Sequence, residues 1–118
     1  MAEVKKEFIY IQHIGDSIDR IALHLGTLTL PEFMETPVVQ DAIVRQIEIL
    51  GEAAKHVSEE TRSRHPEIPW KLMAGMRDKL IHDYFEVDLA LVWETATDDL
   101  PSLKPMIGQV LADEGQAP

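Results

Sequence analysis

From Val4 to Leu25 the apolar residues Val4, Phe8, Ile11, Ile14, Ile18, Ile21 and Leu25 follow one another at steps of three or four, and no stretch of the chain alternates apolar and polar residues as a half-buried strand would. Because an α-helix turns about 100° per residue, such steps place all of these side chains on one side of a helix. A chain patterned in this way has to bury helix faces against one another. The same period predicts a second long helix through VVQDAIVRQIEILGEAAKHVSEETRSR, with Ile43, Ile47, Leu50, Ala54 and Val57 inward. It predicts a third from Pro69 through WKLMAGMRDKLIH, with Leu72, Met73, Met76, Leu80 and Ile81 inward, and a fourth from an Asp88 N-cap onward. The expected architecture is all-α, an up-down bundle of four to five helices forming one domain over residues 1–118, with a frayed tail after about residue 114.

The punctuation fits this reading. Gly26 to Pro37 breaks the period with Gly, Thr and Pro, leaving room for one short turn around Pro31 to Met34. Thr36 followed by Pro37 is an N-cap with proline at the first helical position, where the missing N–H costs nothing. Gly51, inside the second helix, costs about 1 kcal/mol of helix propensity against alanine, and two readings stand equally: close approach of another helix over Gly51, Ala53 and Ala54, or a glycine the helix simply tolerates. Pro101 and Pro105 mark a break or kink in the last helix.

Composition narrows the function classes. At 45% hydrophobic and only 6% aromatic, the chain can build a core, mostly of aliphatic residues. It has no cysteine, which removes disulfides, thiolate metal sites and cysteine nucleophiles. The N-terminal MAEVKKEFIYIQHIG is too polar for a signal peptide or a spanning segment, so a cytoplasmic, membrane-free protein is expected. A net charge of −10 opposes uniform contact with nucleic acid, but the charge is uneven. Arg62 to His82 carries Arg62, Arg64, Lys71, Arg77 and Lys79 against Glu67 and Asp78, whereas Phe85 onward carries Lys104 against seven acids.

Within that basic stretch, MRDKLIHDYFEVD sets Arg77, His82 and Tyr84 within eight positions. Arginine can hold a phosphate through two parallel hydrogen bonds, and histidine is the side chain whose ordinary pKa lies nearest neutrality. Together they suit RNA cleavage without a metal: a base takes the ribose 2′-hydroxyl proton, the oxygen attacks the adjacent phosphorus, and an acid protonates the leaving 5′-oxygen. A preorganised arginine stabilises the charge that gathers on the phosphoryl oxygens. On a continuous helix Arg77 and Tyr84 share a face, while His82 lies about 140° away. Either the helix unwinds near Asp83, or a second subunit completes the site about a two-fold axis. Lys71, Lys79, Arg62 and Arg64 are candidates for steering RNA. His13, His24, His56 and His65 form no ligand pattern and are read as surface or edge positions, so no metal site is expected. Trp70 and Trp93 pack between helices, with stacking on a nucleobase as the other reading of Trp70.

The R-x-x-x-x-H-x-Y pattern of Arg77, His82 and Tyr84, together with RQIEILGEAAKHVSEE, HPEIPWKLMAGMRDKLIHDYFEVD and VWETATDDLPSLKPMI in order, resembles the HepT-like ribonuclease toxins of the HEPN superfamily over roughly residues 40 to 107. The resemblance implies a homodimeric, metal-independent endoribonuclease, the toxin of a toxin-antitoxin pair, with its cleft at the subunit interface. It implies Arg77 and His82 as the catalytic pair and Asp78 as the polar residue after the arginine, where relatives often carry asparagine. Tyr84 matches the family's motif tyrosine, which an MntA-type nucleotidyltransferase antitoxin modifies with AMP. ATP and magnesium then belong to that partner, and this chain needs no cofactor of its own. The alternative is a non-catalytic helical binding subunit of a minimal nucleotidyltransferase, a reading the acidic charge favours; a purely structural helical dimer is the third.

Overall fold

The first helix, α1 (Ala2–Leu25), ends where its pattern does: Gly26 adopts φ +52 and its N–H donates to the Ala22 carbonyl, the left-handed close that glycine makes at no steric cost. Ile11, Ile14, Ile18 and Ile21 of α1 are all under 5% exposed, as the period requires. A computed structural model supplies this description, covering residues 2–83 and 85–115.

The connection after α1 holds one short helix, α2 (Leu30–Met34), near the position the prolines mark. A capping box starts it: Glu32 N donates to Thr29 Oγ1, and the Glu32 carboxylate accepts from Thr29 N at 2.8 Å. Those bonds from Thr29 hold the Glu32 carboxyl below the usual carboxylate range. Gln40 closes the other end by donating to the carbonyls of Phe33 and Met34, which lets the fully buried Phe33 pack at 5.3 Å from the Trp93 ring.

The second long helix is α3 (Pro37–Lys55), with Pro37 at its first turn as expected. Thr36 occupies the N-cap position without capping by its side chain; its hydroxyl donates backward to the Glu32 carbonyl at 2.6 Å. The helix does not continue to Arg64. It stops at Lys55, and a separate α4 (Glu59–Arg64) begins at Ser58, whose Oγ accepts from Thr61 N and whose own N–H donates to the Glu7 carboxylate of α1. Serine followed by two glutamates in the first turn is the start signal that overrides the apolar period here.

The third helix is likewise shorter than its pattern. It divides at Gly75 into α5 (Trp70–Ala74) and α6 (Met76–Leu80), and Leu72, expected inward, is 48% exposed. After Leu80 the backbone extends into a small antiparallel hairpin, β1 (Ile81–Asp83) with β2 (Glu86–Val87), paired at Ile81 with Val87 and at Asp83 with Glu86. Asp88 N donates to the Leu80 carbonyl at 2.9 Å and closes the base of the hairpin. Asp88 then caps α7 (Leu89–Glu94) through Leu91 N, as expected.

A π-helical turn, Thr95–Asp99, joins α7 to α8 (Leu100–Gly115). Pro101 has no N–H to give and its ring would press on the carbonyl four residues back, so the wider turn falls where a regular helix would clash. Pro105 lies within α8, and the accommodation is therefore a local widening ahead of Pro101. The core joins α1, α3, the α5–α6 pair and the α7–α8 run: Ile43, Ile47, Leu50, Met73, Leu80, Leu100 and Ile107 are all at most 1% exposed. The all-α bundle stands, with the hairpin as its addition. Among the described residues no helix is long and apolar enough to cross a membrane.

Candidate active site

The break at Gly75 and the end of helix at Leu80 decide where the basic motif goes. Arg77 sits on α6 and faces α3 across an open cleft of about 430 Å³, lined on α3 by Gln40, Asp41, Val44 and Glu48 and on the hairpin side by Ile81, Phe85 and Val87. Its guanidinium is about half exposed and lies between two carboxylates: Nη1 donates to Asp78 Oδ1 at 3.2 Å, and Nε is 3.7 Å from Glu48 Oε2. These acids hold the guanidinium in place in the absence of another anion. They also compete with a phosphate for it.

His82 is not on a helix. It is exposed on β1, one residue after the buried Ile81, so strand alternation turns it to the side opposite the core. Helix unwinding, one of the two expectations, therefore occurs, and it begins at Ile81 ahead of Asp83. His82 does not line the Arg77 cleft, and its side chain makes no hydrogen bond or ion pair among the described residues. Tyr84, and with it the face expected to be shared with Arg77, lies outside the described residues. Phe85, between the two strands of the hairpin, is 69% exposed.

The four residues expected to steer RNA divide into two pairs. Lys71 and Lys79 are exposed, and neither side chain has a hydrogen bond or ion pair among the described residues. Arg62 is engaged with the end of α3, its Nε donating to the Val57 carbonyl at 3.0 Å and its Nη2 to the Ala54 carbonyl at 2.7 Å, where helix carbonyls lack helical partners. Arg64 gives a fork of hydrogen bonds to Glu114 at 2.8 and 3.1 Å and a further one to Thr61. Both arginines thus act within the chain. Trp70 does too, since it is 5% exposed and its Nε1 donates to the His65 carbonyl, which leaves no face for a nucleobase.

His65 corrects another expectation. It is 6% exposed, not a surface residue, and Nε2 lies 2.9 Å from Glu114 Oε2. Arg64, and after it His65, holds the Glu114 carboxyl below the usual carboxylate range against the burial that raises it. A carboxyl depressed in the folded chain contributes stability that is fully present above its unfolded pKa, near 4.5, and lost as pH falls through the folded value. We expect Glu114→Gln to lower stability by about 1–2 kcal/mol at pH 7. In urea melts at successive pH values the gap between variant and wild type should close as pH drops below 4.5; a pH-independent gap would remove the carboxylate from the account.

The sequence did not single out Glu48, Gln40 or Asp41. Gln40, Val44 and Glu48 step by four along α3, a stripe visible in the letters, but its meaning depends on α6 lying across it.

With this geometry in hand, a profile of the family described as ribonuclease HepT-like matches residues 14–110. A protein of Caldanaerobacter subterraneus subsp. tengcongensis named as a candidate RNase is 38% identical over 105 residues, covering 89% of this chain and 94% of its own. A protein of Thermococcus cleftensis named as a probable ribonuclease HepT is 42% identical over 95 residues, 80% of this chain and 86% of its own. One of Methanocaldococcus jannaschii, again a candidate RNase by name, is 39% identical over 108 residues, 92% of this chain and 88% of its own. No solved structure matches at comparable significance.

Proposed function

The chain belongs to the HepT-like ribonuclease family, and from that premise we propose that it is an endoribonuclease that cleaves RNA by internal attack of the 2′-hydroxyl, without a metal. The observation that carries the reading is Arg77 in the α3–α6 cleft with His82 displayed five residues on. His82 takes the 2′-hydroxyl proton, the oxygen bonds to phosphorus, and the bond from phosphorus to the 5′-oxygen breaks. The products are a 2′,3′-cyclic phosphate and a 5′-hydroxyl, whose oxygen takes a proton from solvent while His82 returns the one it accepted to solvent. Arg77 binds the phosphoryl oxygens and stabilises them most as charge accumulates.

One chain supplies the cleft with Arg77 and turns His82 outward. The reading therefore includes a homodimer, in which a two-fold axis brings one subunit's His82 toward the other's Arg77. It also includes a nucleotidyltransferase partner that places AMP on Tyr84, using its own ATP and magnesium. A phosphodiester on that tyrosine adds negative charge that repels the RNA backbone, which would silence the enzyme. The binding-subunit reading has one observation in its favour: Arg62 and Arg64 are engaged inside the chain, on a protein of net charge −10.

The deciding experiment is intact-mass spectrometry of protein made with and without the neighbouring nucleotidyltransferase, alongside an RNA cleavage assay in EDTA. Unmodified protein should cut RNA in EDTA. Co-expression should add mass in AMP units only while Tyr84 is present, with Tyr84→Phe as control, and should abolish cutting. No cutting by the unmodified chain would transfer the case to the binding subunit.

A further inference from the structure

Across α3 from the Arg77 cleft lies a second recess of about 370 Å³ between α1 and α3. Tyr10 and His56 stack in it with ring centroids 4.5 Å apart and planes at 15°, and His13 meets Tyr10 edge-on at 6.3 Å. Arg45, Glu48 and Glu52 complete its polar wall. Glu48 lines both recesses, so one side chain separates them.

Tyr10 is partly buried against the core, while the His56 side chain is 48% exposed, which leaves the imidazole side of the stack accessible. Arg45 makes no hydrogen bond or ion pair among the described residues. Glu52 is 66% exposed and held only loosely, with Lys55 Nζ at 3.8 Å and His56 Nε2 at 3.7 Å. Arg45 and Lys55 balance Glu48 and Glu52 in charge, on a chain of net charge −10. It is a place where an RNA strand meets little repulsion. Exposed aromatic rings beside hydrogen-bonding side chains are what single-stranded RNA bases bind.

We infer that the Tyr10–His56 recess is a nucleobase subsite that takes guanine from the strand adjoining the Arg77 cleft. The inference rests on the ribonuclease reading for its biological use, though not for its binding chemistry. The base extends the stack on the imidazole side. Guanine alone among the four bases carries two neighbouring N–H donors on its Watson–Crick edge, at N1 and N2, which the two oxygens of Glu52 accept together, while O6 accepts from Arg45 or His13. Cytosine and adenine offer an amino group beside an acceptor nitrogen, which a carboxylate repels, and uracil offers a single N–H between two carbonyls.

The test has two arms on the full-length protein. In the first, amide shifts are followed while 5′-GMP or 5′-CMP is added. We expect GMP to move the amides of Tyr10, Glu52 and His56 at concentrations where CMP does not, and the Glu52→Gln variant to lose that difference. In the second, cleavage positions are mapped on a random-sequence oligoribonucleotide. Wild type should cut beside guanosine, and Glu52→Gln and His56→Ala should each reduce that preference by about tenfold. Equal shifts from GMP and CMP, or none, would overturn the subsite, as would an unchanged preference in both variants. GMP-specific shifts without any cleavage would uphold the subsite and overturn the ribonuclease reading. The carboxamide in Glu52→Gln is exposed and isosteric, so loss of folding does not obscure the result.

Discussion

Arg77→Ala is expected to fold as wild type does and to lose RNA cleavage by about two to three orders of magnitude, the cost of removing one preorganised donor to a charged transition state. Arg77 is half exposed and contributes only an exposed hydrogen bond to Asp78 and a long approach to Glu48, so its removal has little to unfold. His82→Ala, on the outward side of β1, should cost about 10²–10⁴ in rate, again with an unchanged melting curve. Arg77→Lys should recover little, because an ammonium cannot reproduce the two parallel bonds of a guanidinium. Asp78→Asn should act in the other direction. It removes the carboxylate that engages Nη1 and should tighten RNA binding without altering the fold. Initial rates on a labelled oligonucleotide, with thermal melts of each variant, check the set; full-rate cleavage by Arg77→Ala or His82→Ala would remove the catalytic pair from the mechanism.

The largest effect on stability is expected at Gly51. This residue is buried in α3, and a Cβ placed there would lie 3.2 Å from the Met73 carbonyl oxygen and 3.7 Å from that of Ala74. The obstacle is backbone of α5, which cannot swing aside as a side chain can. Gly51→Leu should cost about 3 kcal/mol or more, corresponding to a melting point lower by roughly 10–20 °C. Gly51→Ala separates two opposed quantities, a helix-propensity gain of about 1 kcal/mol and the crowding of one methyl. It should therefore fall far closer to wild type than Gly51→Leu does. Thermal unfolding followed by circular dichroism measures both, and a Gly51→Leu protein that melts like wild type would show that α5 is free to move away.

The all-helical class was legible because its signal is distributed: four isoleucines on α1 repeat the same message, and Gly26 and Asp88 punctuate it where the structure does. Helix ends were less legible because they depend on one or two residues. Ser58 with Glu59 and Glu60 carries a start signal that the apolar run through Val57 obscured. The hairpin after Leu80 is not legible in the sequence because strands of three and two residues are too short to show alternation. At the site, Arg77 was legible from its motif and lies in the cleft. The fates of Arg64 and His65 were not, since Glu114 reaches them from about fifty positions away and no local pattern encodes such a meeting, and that of Arg62 depended on α3 ending at Lys55.

The hairpin that carries His82 is paired at two positions, with an irregularity of register between them. A ladder of that size is at best marginally stable by itself. The entropy lost in fixing the imidazole therefore falls on whatever seats against the outer side of β1. A second subunit that fixes it leaves less for RNA to fix, and bound RNA does the same for the subunit. In the homodimer proposed above, assembly and substrate binding would then reinforce each other with no change in the average shape of either chain. Turnover per subunit would accordingly rise with protein concentration more steeply than the count of assembled cleft pairs alone requires.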